Sequence, residues 1–147
     1  IDSATSFARG DDAVPVFDSQ VSLKYPMQIL IAEDNPINQT LAVTVLEKLG
    51  YKPDVVENGK LVLEKVATRK YDLIFMDVQM PEMDGYQATK EIRKFNSDVP
   101  IFALTASTID ELDIDIYTLG MNDILTKPFI PEEFHKKLLK IKLEKLK

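Results

Sequence analysis

The chain has 147 residues, 45% of them hydrophobic and 29% charged, with a formal net charge of −6. That balance suits one globular domain with a real core and excludes a disordered chain, and the negative charge argues against a general nucleic-acid surface. With no cysteine and one histidine, His135, the chain holds no disulfide, thiol nucleophile, thiolate zinc site or histidine-rich metal cluster, so any metal must be held by oxygen.

Residues 1–26 show neither helix nor strand period and end at Pro26, so they read as a linker or the tail of an upstream domain. Val14, Val16, Phe17, Val21 and Leu23 are more apolar than a pure spacer needs. The domain itself is expected over 27–147. A chain that starts at Ile1 in place of Met reads as a piece of something longer. No apolar run is long enough to span a bilayer and no secretory signal opens it, so a cytoplasmic location without membrane contact by this chain is expected.

Met27 to Ala32 reads as a buried strand ending in Glu33, Asp34 and Asn35. Asn35 then serves as an N-cap with Pro36 at the first helical position, and Ile37, Leu41, Val45 and Leu49 repeat every four residues up to Gly50. A weaker strand is expected around Lys52 to Val56, followed after Asn58-Gly59 by a helix with Val62, Leu63, Val66 and Ala67 on one side. Tyr71 to Met76 forms a third strand leading to Asp77, and beyond Pro81 and Gly85 a helix is marked by Ala88, Ile92 and Phe95. Val99 to Leu104 reads as a fourth strand ending at Thr105. The fourth helix keeps Ile109, Leu112, Ile116 and Leu119 on its apolar side and stops at Gly120. A fifth strand, Asp123 to Thr126, ends at Lys127-Pro128, and a last helix from Pro131 turns Phe134, Leu138 and Ile141 inward with His135 on its polar side. Five strands alternating with five helices predict an α/β fold, a doubly wound parallel sheet with right-handed crossovers and helices on both faces.

The strand ends bring Glu33, Asp34, Asp77, Thr105 and Lys127 to one edge, where open α/β sheets place their chemistry. Each residue alone has an ordinary reading as a helix cap or a solvated charge. Five such positions at the carboxyl ends of four strands are not what independent ordinary roles produce. Three crowded carboxylates repel unless a cation joins them, and an oxygen-only set favours Mg²⁺. A hydroxyl and an ammonium beside that cation match the peripheral oxygens of a phosphoryl group, so phosphoryl transfer to Asp77 is expected.

The segments I-L-I-A-E-D-N-P-I-N-Q, I-F-M-D-V-Q-M-P-E-M-D-G, A-L-T-A and L-T-K-P-F resemble the receiver domains of two-component response regulators, most closely those attached to hybrid sensor histidine kinases. The resemblance implies a flavodoxin-like fold with strand order 2-1-3-4-5. It implies that Asp77 is the phosphoacceptor and that a histidine kinase or histidine phosphotransfer domain is the donor. Asp34, Asp77 and the Gln79 backbone carbonyl would bind Mg²⁺, with Glu33 acting through a water on the ion. Lys127 would pair with phosphoryl oxygens, and the Thr105 hydroxyl would move toward them. The resemblance also implies a cis peptide at Lys127-Pro128, and rate-tuning positions at Gln79 and Ser107. Ile124 stands where many receivers carry Tyr or Phe, so a switch through Thr105 and the fourth helix, or a plain phosphate relay, is expected.

Two other functions fit parts of the pattern. A Mg²⁺-dependent phosphohydrolase would want a second Asp two residues after Asp77, where Gln79 stands, and a protein-binding pseudo-receiver would not need the intact acidic set. Ile114 and Tyr117 on the fourth helix, with Leu139, Leu143 and Leu146 on the fifth, offer a face for self-association, although long helices commonly leave such residues half exposed.

Overall fold

The computed structural model describes residues 26–106, 115–127 and 130–145, with backbone alone for 142–145. Among these residues five strands, β1 (Ile29–Ala32), β2 (Asp54–Val56), β3 (Leu73–Asp77), β4 (Ile101–Thr105) and β5 (Asp123–Thr126), form one parallel sheet in the order 2-1-3-4-5. The helices among the described residues are α1 (Pro36–Lys48), α2 (Gly59–Thr68), α3 (Gly85–Arg93), α4 (Ile116–Leu119) and α5 (Pro131–Lys145).

Strand alternation divides the core in two. Ile29, Ile31, Leu73, Phe75, Phe102, Leu104 and Leu125 point to one face, where α1 and α5 cover them with Ala42, Val45, Leu46, Phe134, Leu138 and Ile141. Leu30, Ala32, Ile74, Met76, Ile101 and Ala103 point to the other, under Val62 of α2, Ala88 and Ile92 of α3 and Ile116 of α4. Phe75 anchors the first face, edge-on to Phe102 at 5.9 Å between ring centres and tilted against Phe134 at 5.1 Å. Both faces of β1, β3 and β4 are buried, which is why these strands read as continuous apolar runs without polar alternation.

The expected caps are present: Asn35 Oδ1 accepts from the backbone N–H of Ile37 at 2.8 Å and of Asn38 at 3.1 Å, with Pro36 opening α1. Gly120, at φ 109°, ends α4 in the left-handed region.

Five side chains depart from the sequence reading. Ile37 and Leu41 are exposed, because a strict four-residue repeat drifts by about 40° per step around a helix of 3.6 residues per turn; Val45 and Leu49 are buried as expected, with Ala42 and Leu46 beside them. Phe95 lies beyond the end of α3 and is exposed, and Ala67 is exposed at the last turn of α2. His135, expected at the solvent, is buried beside Phe134, because the apolar stripe of α5 is wider than the Phe134, Leu138, Ile141 line.

β2 is shorter than expected, and β3 includes Asp77 as its last residue. Of the candidate self-association face, Tyr117 is exposed and Leu139 half-buried; Ile114 and the side chains of Leu143 and Leu146 lie outside the described residues. So do Ile109, Leu112 and residues 1–25. No helix among the described residues is long and apolar enough to cross a membrane.

Candidate functional site

Where β1 ends, the backbone N–H of Glu33 donates to Val56 O at 3.0 Å, and Gln39 of α1 donates from its side-chain amide to Glu33 O at 2.5 Å. Two bonds from different elements thus fix this residue, and its side chain is fully buried. β3 delivers Asp77 beside it, with the N–H of Gln79 donating to Asp77 Oδ1 at 3.0 Å and closing a turn over the carboxylate. β5 delivers Lys127, whose backbone N–H donates to Thr105 O at 2.7 Å and ties the ends of β4 and β5 together.

Glu33, Asp77 and Lys127 follow Ile31, Phe75 and Leu125 by two residues, so the apolar rows facing α1 and α5 terminate in the three charged groups. Thr105 follows Ala103 in the other row.

The ammonium of Lys127 lies 2.9 Å from Glu33 Oε1 and 3.2 Å from Asp77 Oδ2. Carboxylate oxygens of Glu33, Asp34 and Asp77 all lie within 4.8 Å of one another, with Asp34 exposed and the other two buried. Burial and the hydrogen bond with Glu33 push the Asp77 carboxyl up to about 7. For Glu33 burial works in the same direction but is outweighed by the interactions with Asp77 and Lys127 and by the hydrogen bond from Asn35 N–H, which hold it below its ordinary range. Burial also opposes the charge of Lys127, and the two carboxylates override it and raise its pKa.

The site opens into a cleft of about 610 Å³ lined by these residues together with Asp34, Asn38, Gln79, Met80, Tyr86 and Thr105. Three convergent carboxylates and no sulfur or imidazole donor suit a hard divalent cation such as Mg²⁺. Glu33 Oε1 fits the same reading, since it is buried and meets Lys127 as an ion pair without accepting a hydrogen bond.

All five residues expected at the strand ends therefore lie together. Gln79 is exposed at the rim, and Ile124 is half-buried against the core under α2, α3 and α4. Ser107 and Pro128, and with Pro128 the expected cis peptide, lie outside the described residues.

Other site features went unread in the sequence. Asn38 and Tyr86 line the cleft, and Gln39 anchors Glu33. Asn38 stands at the third position of α1, and no period in the sequence singles it out. At the opposite edge of the sheet, buried Asp123 pairs with Lys137 at 2.8 Å and Lys140 at 3.0 Å.

The family described as response regulator receiver domain matches residues 29–139. The chain is similar to histidine protein kinase 1 of Candida albicans, at 38% identity over 135 residues that cover 84% of this chain and 6% of that protein. It is likewise similar to hybrid signal transduction histidine kinase K of Dictyostelium discoideum, at 43% identity over 116 residues covering 73% of this chain and 10% of that protein. The chain thus spans a tenth or less of the length of these two relatives. Among solved structures, the receiver domain of sensor histidine kinase PA1611 from Pseudomonas aeruginosa PAO1, with a magnesium ion coordinated in its active-site cleft, superposes with a TM-score of 0.73 at 40% identity, covering 78% of this chain and 95% of that one.

Proposed function

The chain belongs to the response regulator receiver family of two-component signalling, and from that premise we propose that it accepts a phosphoryl group on Asp77 from the phosphohistidine of a histidine kinase or histidine phosphotransfer domain. The relatives include a hybrid signal transduction histidine kinase, which supports residues 1–26 as the joint to an upstream domain and 27–147 as the receiver unit.

In the proposed reaction an Asp77 carboxylate oxygen attacks the phosphorus and forms the acyl phosphate bond. The P–N bond breaks, and its electron pair returns to the imidazole nitrogen. Asp77 has to be ionised to attack, and with its carboxyl pushed up to about 7 it reaches that form by losing its proton as the cation binds. Asp34, Asp77 and the Gln79 carbonyl would hold Mg²⁺, with Glu33 supporting it from beside them. When bound, Mg²⁺ neutralises charge on the transferring group. Lys127, already 3.2 Å from Asp77 Oδ2, pairs with a phosphoryl oxygen once the group arrives, and the Thr105 hydroxyl donates to another. Gln79 at the rim and Ser107 tune how readily water reaches the acyl phosphate. Ile124 supplies no aromatic ring to rotate into the space behind Thr105, which favours a relay over an aromatic read-out.

The observation that carries this reading is the single ammonium of Lys127 bridging Glu33 and Asp77 at the mouth of the acidic cleft. The test is intact mass after incubation with Mg²⁺ and a small phosphoramidate, for wild type and Asp77→Ala. One labile phosphate on wild type, absent from the variant and from a chelated control, is expected. A wild type that stays unmodified, even when a non-hydrolysable phosphoryl mimic also fails to bind, would leave only a protein-binding role.

A further inference from the structure

Asn38 occupies a position in α1 where its side chain has been relieved of the usual local duty. It is the third residue of the helix, the position from which a polar side chain commonly reaches back to the N–H of the N-cap residue. Here that N–H, on Asn35, donates instead to Glu33 Oε2 at 3.0 Å. The backbone N–H of Asn38 is satisfied by Asn35 Oδ1 at 3.1 Å. Its side-chain amide enters no hydrogen bond among the described residues, yet it is half-buried and lines the acidic cleft.

Several other acceptors around the cleft are engaged. Asn35 Oδ1 takes two backbone N–H groups, Asp77 Oδ1 takes Gln79 N–H, and Asp77 Oδ2 and Glu33 Oε1 face the Lys127 ammonium. Mg²⁺ keeps several of its waters when a protein binds it, and those waters are hydrogen-bond donors in need of acceptors. We propose that Asn38 is a positioning residue for the cation, its Oδ1 accepting a hydrogen bond from the hydration shell of Mg²⁺ in the cleft of Glu33, Asp34 and Asp77. A neutral amide provides that acceptor without adding a fourth negative charge to three that already repel. This inference rests on the metal reading of the site and adds to it a residue on α1.

The test is calorimetric titration of the metal-free chain with Mg²⁺ and, separately, with Ca²⁺, for wild type and Asn38→Ala, with thermal melting of both proteins without metal. Loss of an outer-shell partner should weaken Mg²⁺ binding by about tenfold. Ca²⁺, which gives up water more readily and accepts flexible geometry, should lose distinctly less, and the metal-free melting temperatures should agree within a few degrees. Unchanged Mg²⁺ affinity, or equal losses for the two ions, would overturn the role of Asn38 while leaving the metal site standing. A wild type that binds neither ion would overturn the metal reading itself and this inference with it.

Discussion

Lys127 Nζ lies 3.2 Å from Asp77 Oδ2, an ion pair formed by residues fifty positions apart in the chain, at the ends of strands that do not touch. β4 separates β3 from β5, and the lysine reaches across it to a carboxylate that also has Glu33 as a neighbour. One cation thus serves two buried anions, which leaves the site short of positive charge. Asp77→Asn should therefore stabilise the metal-free protein. At pH 8 the gain should be roughly 2–4 kcal/mol, the cost of ionising a carboxyl whose pKa stands near 7 in the folded state. The sign follows from proton binding. Between about 3.8 and 7 the folded state holds the Asp77 proton more tightly than the unfolded state, so wild-type stability falls as pH rises through that window. The variant should lack this fall, which urea melts at pH 5 and pH 8 without metal would measure.

Mg²⁺ binding should release a proton below pH 7. The cation needs Asp77 ionised, so apparent affinity should rise by up to about tenfold per pH unit below that point and level off above it. Calorimetry in two buffers of different ionisation enthalpy gives the proton count directly. A pH-independent affinity between pH 6 and 8 would contradict the raised carboxyl.

Gly85 is required by space. A Cβ built there would collide with Asp77 O and crowd Met76 Cγ and Val78 Cα. Gly85→Ala should destabilise the fold by about 1–3 kcal/mol, as overpacking generally does, and should slow phosphorylation more than Mg²⁺ binding, because the displaced atoms belong to the backbone that carries Asp77, the proposed acceptor. Equal phosphorylation rates for variant and wild type would show that the loop absorbs the methyl group elsewhere.

The pair formed by Asp123 with Lys137 and Lys140 anchors α5 to the start of β5. Burial would raise the Asp123 carboxyl, but the hydrogen bonds from Lys137, Ile124 N–H and Lys140 outweigh it and hold it below its ordinary 3.8. Its stabilising contribution is complete above that value and is lost as pH falls through the lower folded-state pKa. Removing the buried partner by Asp123→Ala should cost about 2 kcal/mol or more. Lys137→Ala should cost more than Lys140→Ala, since Lys140 is largely exposed and its pair is screened by solvent. Chemical denaturation of the three variants gives the ranking.

Much of the fold was legible because its determinants are local. A buried parallel strand must be apolar on both faces, so β1, β3 and β4 stand out as runs, and Asn35-Pro36 marks a helix start by hydrogen bonding within one turn. The same local rules placed Glu33, Asp77, Thr105 and Lys127 at strand ends and hence at one edge. Where a stripe was narrow or drifting, the reading slipped. Ile37 and Leu41 match a helical repeat but are exposed, and His135 looks polar in sequence but is buried beside Phe134.

By itself the sequence determined the number and order of the elements, the oxygen-only character of any metal site and the edge at which charge gathers, since each follows from residue type and spacing along the chain. The strand order came only from likeness to a known family, because crossover lengths permit more than one arrangement. Tertiary structure alone decided which carboxylate is buried, that one lysine is shared by two acids, that Glu33 takes the N–H that would otherwise engage Asn38, and that Asp123 holds two lysines of α5. Those relationships join residues brought together across the sheet, and no period in the chain encodes a distance between strands.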